Sequence, residues 1–190
     1  TRFEPLKFDA AATPLQLEAI KHIEALLSKA INGTTGVTDI VAGSRKDEWR
    51  TLDPARTLYL QLPSGRVIIE LADGFAPKHV ANIQQLVKGR YFDGLAVVRV
   101  QDNFVAQWAD PDDKKPLGAA LAKLPPEYTT AYRSDSAFTR LPDADGYAPQ
   151  AGFIDSMPVG RDPASRTQWL AHCYGAVGVA RGNDPESGNG

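Results

Sequence analysis

The sequence predicts a mainly β fold that carries helices. Leu58, Leu60 and Leu62 fall on alternate positions, as do Val67, Ile69 and Leu71, with Pro63-Ser64-Gly65 between the two runs. That alternation around a turn is the pattern of a β-hairpin. A second pair of apolar runs, near Leu95–Val100 and Phe104–Gln107, is introduced by Asp93-Gly94 and divided by a polar turn. Between the two pairs lies a stretch with helical periodicity.

In chain order, residues 1–10 form an extended lead containing Pro5. A helix is expected from Thr13, with Thr13 as N-cap, Pro14 at the first helical position and Gln16 closing a capping box. Ile20, Ile23, Leu27 and Ile31 recur at spacings of three and four and make one apolar face, and Asn32-Gly33 ends the helix. Residues 33–56 have the composition of a polar connector, with Trp49 as its anchor. After the hairpin, a second helix opens at Pro77 and closes at Gly89, with Val80, Ile83, Leu86 and Val87 facing inward. From Asp110 to Arg166 the periodicity dissolves into turn dipeptides, which marks a functional or lineage-specific insertion with short elements of its own. Trp169–Tyr174 and Ala176–Ala180 are strand-like, and the end of the chain has loop composition. The expected organisation is an N-terminal helical extension and connector over 1–56, then a domain over 57–190 with its insertion at 112–167.

The 190 residues are 43% hydrophobic and 23% charged, with a net charge of −2. This balance gives no basic footprint for nucleic acid and no polybasic membrane signal. No apolar run approaches the ~20 residues that cross a bilayer. The sequence begins at Thr1 without an initiator Met, which suggests a cleaved signal peptide or a trimmed chain; a periplasmic or exported location is expected, with the cytoplasm as the alternative.

Few residues suggest chemistry. His172-Cys173 invites a thiolate–imidazole pair, but neighbours on a strand point to opposite faces, so a buried structural cysteine is expected. His22 and His79 lie on separate helices, and no His/Cys spacing suits zinc. Asp143-Ala144-Asp145-Gly146 has part of a calcium-loop pattern without its third acid or distal Glu, and is expected to be a turn. Arg99 stands out as a cation inside an apolar strand, costly unless it meets a partner or a ligand. Spacing alone leaves open a structural ion pair or a donor facing a site.

Several motifs, in order and spacing, resemble cyclophilin-type peptidyl-prolyl isomerases, and the long insertion, the run Trp169-Leu170-Ala171-His172-Cys173-Tyr174-Gly175 and the N-terminal helix resemble an extended bacterial branch of that family. The motifs are Val67-Ile68-Ile69-Glu70-Leu71, Ala76-Pro77-Lys78-His79-Val80-Ala81-Asn82-Ile83, Tyr91-Phe92-Asp93-Gly94-Leu95, Arg99-Val100, Phe104-Val105-Ala106-Gln107 and Tyr174-Gly175-Ala176-Val177-Gly178-Val179-Ala180-Arg181. The resemblance implies a closed antiparallel β-barrel capped by helices, and accelerated rotation about X-Pro bonds in folding clients. It implies Arg99 as the catalytic donor, Phe104 and Val105 in the proline pocket, Gln107 on the substrate backbone, and Ala180, Arg181 and Asn183 flanking the peptide. No cofactor and no metal are implied. The implied partners are proline-containing polypeptides and cyclosporin-type ligands. A binding or scaffold domain with little turnover is the alternative, and self-association through the first helix a further reading.

Three departures narrow the resemblance. Val97-Val98 replace the family's Phe-His, Val105 stands where Met is common, and Trp108-Ala109 replace Gly-Gly. The family's later barrel strands and second helix do not follow the Gly-rich end. The C-terminal part of the barrel is therefore expected to be absent from this chain, with Gly190 a break and another segment completing the barrel.

Overall fold

The computed structural model describes residues 7–8, 41–102, 104–132 and 134–188, and for 7–8 the backbone alone. The expected helix at 13–32 lies outside the described residues, as does any self-association through it. The chain divides into two compact units: Thr1–Leu71 with Phe92–Lys115, and Ala72–Tyr91 with Pro116–Gly190.

The first unit holds two small sheets. Strands β1 (Lys7–Phe8), β2 (Thr57–Leu62) and β3 (Gly65–Glu70) pair antiparallel in that order, so the extended lead is in part a strand. Leu60 pairs with Val67 and Leu58 with Ile69, which confirms the hairpin expected from the alternation. Strands β4 (Ala96–Gln101) and β5 (Val105–Ala109) form the second, two-stranded sheet. Gly94, at φ 77°, supplies the left-handed residue of the turn that leads into β4. The core sits on Leu60 and Ile69, against which Leu58, Leu62, Val97 and Trp108 pack. Removing a large apolar side chain from water contributes about 2 kcal/mol, so this cluster holds hairpin and sheet together.

The connector is anchored differently from expectation. Trp49 is 58% exposed and its indole Nε1 donates only to Ser44 Oγ. Arg50 makes the tie instead, donating from Nη1 and Nη2 to the two oxygens of Glu70 at 2.7 and 2.5 Å. A planar guanidinium matches a carboxylate in two parallel bonds, which an indole with one donor cannot do. Arg50 accordingly holds the Glu70 carboxyl below its ordinary range.

The second unit holds helix α1 (Pro77–Lys88) and a five-stranded antiparallel sheet. Its strands are β6 (Thr130–Ala131), β7 (Thr139–Arg140), β8 (Gln150–Ile154), β9 (Met157–Asp162) and β10 (Thr167–Leu170), in the order β6-β10-β9-β8-β7. The stretch whose pattern dissolved is thus the source of most of this sheet. Its elements hide because β8 turns into β9 through Asp155-Ser156, both at positive φ (48° and 67°), without the Gly that signals such a turn. Pro158 and Gly160 also break the strand pattern of β9. Gly160 is required there. A Cβ would lie 2.6 Å from the indole of Trp169, its partner on β10.

Arg161 is buried on β9 with 4% exposure. Its guanidinium sits between the rings of Tyr132 and Phe138, at 4.3 and 4.0 Å, and donates to Gln168 Oε1 and Ser136 Oγ. Burial lowers its pKa from the usual arginine value. The two aromatic faces supply the attraction that a carboxylate would otherwise give.

Three expectations are corrected. Among the described residues no sheet closes into a barrel: β3 pairs only with β2, and β4 and β5 only with each other, whereas closure needs every strand paired on both edges. Ala176–Ala180 is not a strand. Gly175, at φ 86°, and the Ala176 N–H to Cys173 carbonyl bond turn the chain after β10, and among the described residues no strand edge pairs with residues 176–180. Cys173 is exposed rather than buried, because the strand ends at Leu170 and the cysteine lies in that turn.

Candidate active site

Arg99 lies on β4, opposite Gln107 of β5. The register shifts between Val97 and Arg99, so that Val97 faces Trp108 and Arg99 faces Gln107. Val97 and Trp108 pack on the core, and Gln107, next to Trp108 on its strand, points the other way. Strict alternation would give Arg99 the same face as Val97. The irregularity at Val98 moves it to the opposite face, in the manner of a bulge that re-aims one side chain. The cation expected to be embedded is therefore exposed.

Its partners are neutral. Arg99 Nη1 donates to Gln107 Oε1 at 3.1 Å and Nη2 to Gln101 Oε1 at 2.6 Å. The guanidinium carbon lies 5.3 Å from the centroid of the Phe104 ring, which is 70% exposed. No carboxylate pairs with Arg99 among the described residues. Amide oxygens orient the fork without cancelling its charge, and the fork keeps further N–H donors for a ligand. Val105 pairs with Gln101, so it shares the face of Arg99 and Gln107. Four of the expected site residues, Arg99, Phe104, Val105 and Gln107, thus gather on one surface of the first unit.

Gln101 is a site residue that sequence reasoning missed. The signal was present: on a strand, Gln101 lies two positions from Arg99 and so shares its face.

Ala180, Arg181 and Asn183 belong to the second unit. All three are exposed, on a segment with no regular structure. The Arg181 guanidinium lies 5.4 Å from the Tyr128 ring centroid and donates from Nη1 to the Gly182 carbonyl at 3.0 Å. Ser187 Oγ accepts from the Gly182 N–H and donates to the Asp184 carbonyl, closing the loop on itself.

Other candidates recede. Among the described residues no group of acids, histidines or cysteines could hold a metal ion. His79 is committed to Glu127 at 2.8 Å, and the Asp145 carboxylate accepts the Tyr147 N–H in a local turn. No helix of the described residues is long and apolar enough to cross a membrane.

On this surface a mainly β protein presents an arginine oriented by amides and laid over an aromatic ring. The model of the family described as cyclophilin type peptidyl-prolyl cis-trans isomerase/CLD matches residues 57–190, and the chain belongs to that family. A probable peptidyl-prolyl cis-trans isomerase of Brucella suis biovar 1 (strain 1330) is 45% identical over 58 residues, 30% of this chain and 30% of that protein. Peptidyl-prolyl cis-trans isomerase ppi1 of Schizosaccharomyces pombe (strain 972 / ATCC 24843) is 42% identical over 52 residues, 27% of this chain and 34% of that protein. The crystal structure of cyclophilin AquaCyp293 from Hirschia baltica matches with a TM-score of 0.63 and 29% identity, covering 82% of this chain and 62% of that one. The matched stretch therefore spans about a third of the curated relatives' length.

Proposed function

We propose that this protein is a peptidyl-prolyl cis-trans isomerase that accelerates rotation about X-Pro bonds of polypeptide clients, with Arg99 as the donor. The observation that carries the proposal is the exposed, uncompensated guanidinium of Arg99, held by Gln101 and Gln107 over Phe104. Amide resonance sets a barrier of ~20 kcal/mol to rotation. As the bond twists, the prolyl nitrogen lone pair localises and becomes a hydrogen-bond acceptor. A cation that donates to it stabilises the twisted state more than the planar one, which is the condition for catalysis.

The neighbours fit this division of labour. Phe104 and Val105 offer apolar surface to the proline ring, and Val105 gives a smaller, stiffer wall than Met. Gln107 orients Arg99 through its oxygen and leaves its amide N–H groups to meet the client backbone. Val97 and Trp108 face each other and pack on the core, so the bulky ring lies on the side away from Arg99.

A protease-coupled assay on a short X-Pro peptide, comparing the protein with Arg99→Ala, tests the proposal. An isomerase loses most of its rate on that change. A protein that binds proline peptides but shows no acceleration before the substitution is a binding module, and the proposal fails.

A further inference from the structure

We propose that Gln101 is a positioning residue for the isomerisation. It fixes the plane of the Arg99 guanidinium and, as a neutral amide, does so without cancelling the charge. The inference deepens the isomerase reading and rests on it. Every observation beneath it lies within the first unit.

The first is the division of the fork. Gln107 takes Nη1 and Gln101 takes Nη2, at 3.1 and 2.6 Å. A planar group held by one hydrogen bond can swing about it, whereas acceptors on two different nitrogens fix its plane. Arginine has high rotamer freedom, and an exposed one must give that freedom up when it engages a client. Arg99 is exposed, so burial does not order it. The two amides do, and ordering the donor beforehand removes that loss from the reaction.

The second is where Gln101 stands in the hairpin. Its backbone carbonyl accepts the Phe104 N–H at 3.1 Å, and it faces Val105 as the last pair of the β4–β5 ladder. One residue therefore sets Nη2 of Arg99 through its side chain and the path into Phe104 and Val105 through its backbone. The fork and the apolar surface that must meet the same proline are held in register by it.

The third is the chemistry of the acceptor. A guanidinium carries donors only, so each amide must turn its oxygen to Arg99 and its NH2 group away. A carboxylate at 101 would make a stronger, charge-assisted bond in the same place. It would also pair the cation and weaken its pull on the prolyl nitrogen. No carboxylate pairs with Arg99 among the described residues, and the amides orient it without competing for it.

The test compares the full protein with Gln101→Met and Gln101→Glu. Three quantities are read: kcat on a short X-Pro peptide, affinity for that peptide, and the NMR signals of the Arg99 guanidinium nitrogens. Gln101 is exposed, so neither change should disturb the fold. Gln101→Met keeps the length without a strong acceptor and should lower kcat about tenfold, the worth of a hydrogen bond to a charged group. Peptide affinity should stay as it was, because Phe104 and Val105 remain. The separate Nη1 and Nη2 signals of a held fork should merge in Gln101→Met, where rotation averages them, and persist in Gln101→Glu. Gln101→Glu should nonetheless be slow at neutral pH, which separates orientation from charge. A kcat in either variant equal to that of the unaltered protein overturns the inference while the isomerase reading stands. Rate and affinity falling together, with the guanidinium signals unchanged, would make Gln101 a merely structural residue and overturns it as well. No acceleration by the unaltered protein removes the isomerase reading, and the inference with it.

Discussion

Val97 and Arg99 lie two residues apart on one strand and face opposite sides of it. The register shift between them sends Val97 to Trp108 and the core, and Arg99 to Gln107 and solvent. That displacement makes a usable cation out of one that strict alternation would have buried.

Replacing Arg99 with alanine should lower the isomerisation rate by about a hundredfold or more, the loss seen when a transition-state donor is removed. Because Arg99 is exposed, its melting temperature should change little. Parallel rate and thermal-unfolding measurements check both halves. Arg99→Lys should recover only part of the rate, since an ammonium lacks the planar fork that Gln101 and Gln107 hold.

Trp108→Ala should destabilise the first unit by about 2–3 kcal/mol, somewhat under the value for a fully buried ring. Val97→Ala should cost about 1–2 kcal/mol. The two changes made together should fall short of the sum, because each removes the partner of the other. Urea denaturation of the four proteins measures the coupling, and strict additivity would show that the pair does not act as a unit.

Asn82→Ala should strip both hydrogen-bond partners from the Leu121 backbone at once. Leu121 itself is exposed, so water can take up its freed backbone groups, and the cost should be about 1 kcal/mol, the net worth of a typical hydrogen bond. Amide hydrogen exchange at Leu121 should accelerate strongly, with a smaller effect on strands β8 and β9. Unchanged protection at Leu121 would mean that the clamp is dispensable.

Glu127 gives a pH dependence. Burial pushes its carboxyl up, but hydrogen bonds from the His79 ring and from the His79 and Lys78 backbone outweigh it and hold the pKa below the ordinary value of 4.5. A carboxyl with a depressed native pKa binds its proton more tightly when unfolded, so its stabilisation is complete above pH 4.5 and drains away as pH falls through the native value. Glu127→Gln should therefore lower the melting temperature at pH 7, and the gap from the unaltered protein should close in strong acid. A gap that stays constant between those conditions would assign the effect to packing.

Much of the frame was legible from the sequence. The hairpin at 57–70, the helix from Pro77 to Gly89 and the pair of strands around Arg99 all declare themselves through period and punctuation, which are local properties. The motif order around them was enough to indicate the family. Local signals failed where they were weak. Strands β8 and β9 turn on Asp155-Ser156 and contain Pro158 and Gly160, and only pairing across the sheet makes them strands. Ala176–Ala180 had the opposite fate, with strand-like composition but no edge to pair with among the described residues.

For the site, residue order alone settles which groups are available: one arginine in an apolar run, an aromatic and a glutamine at set distances after it. Their orientation is a product of folding. Whether Arg99 points to core or solvent depends on a one-residue shift in pairing, and pairing is a relation between strands that neither strand encodes alone. The same holds for Glu127, which caps a helix that begins 50 positions earlier in the chain, and for Tyr128, which meets Arg181 across 53. Contacts at that separation form only when the chain has folded, because the free energy that creates them comes from burial shared across the whole unit.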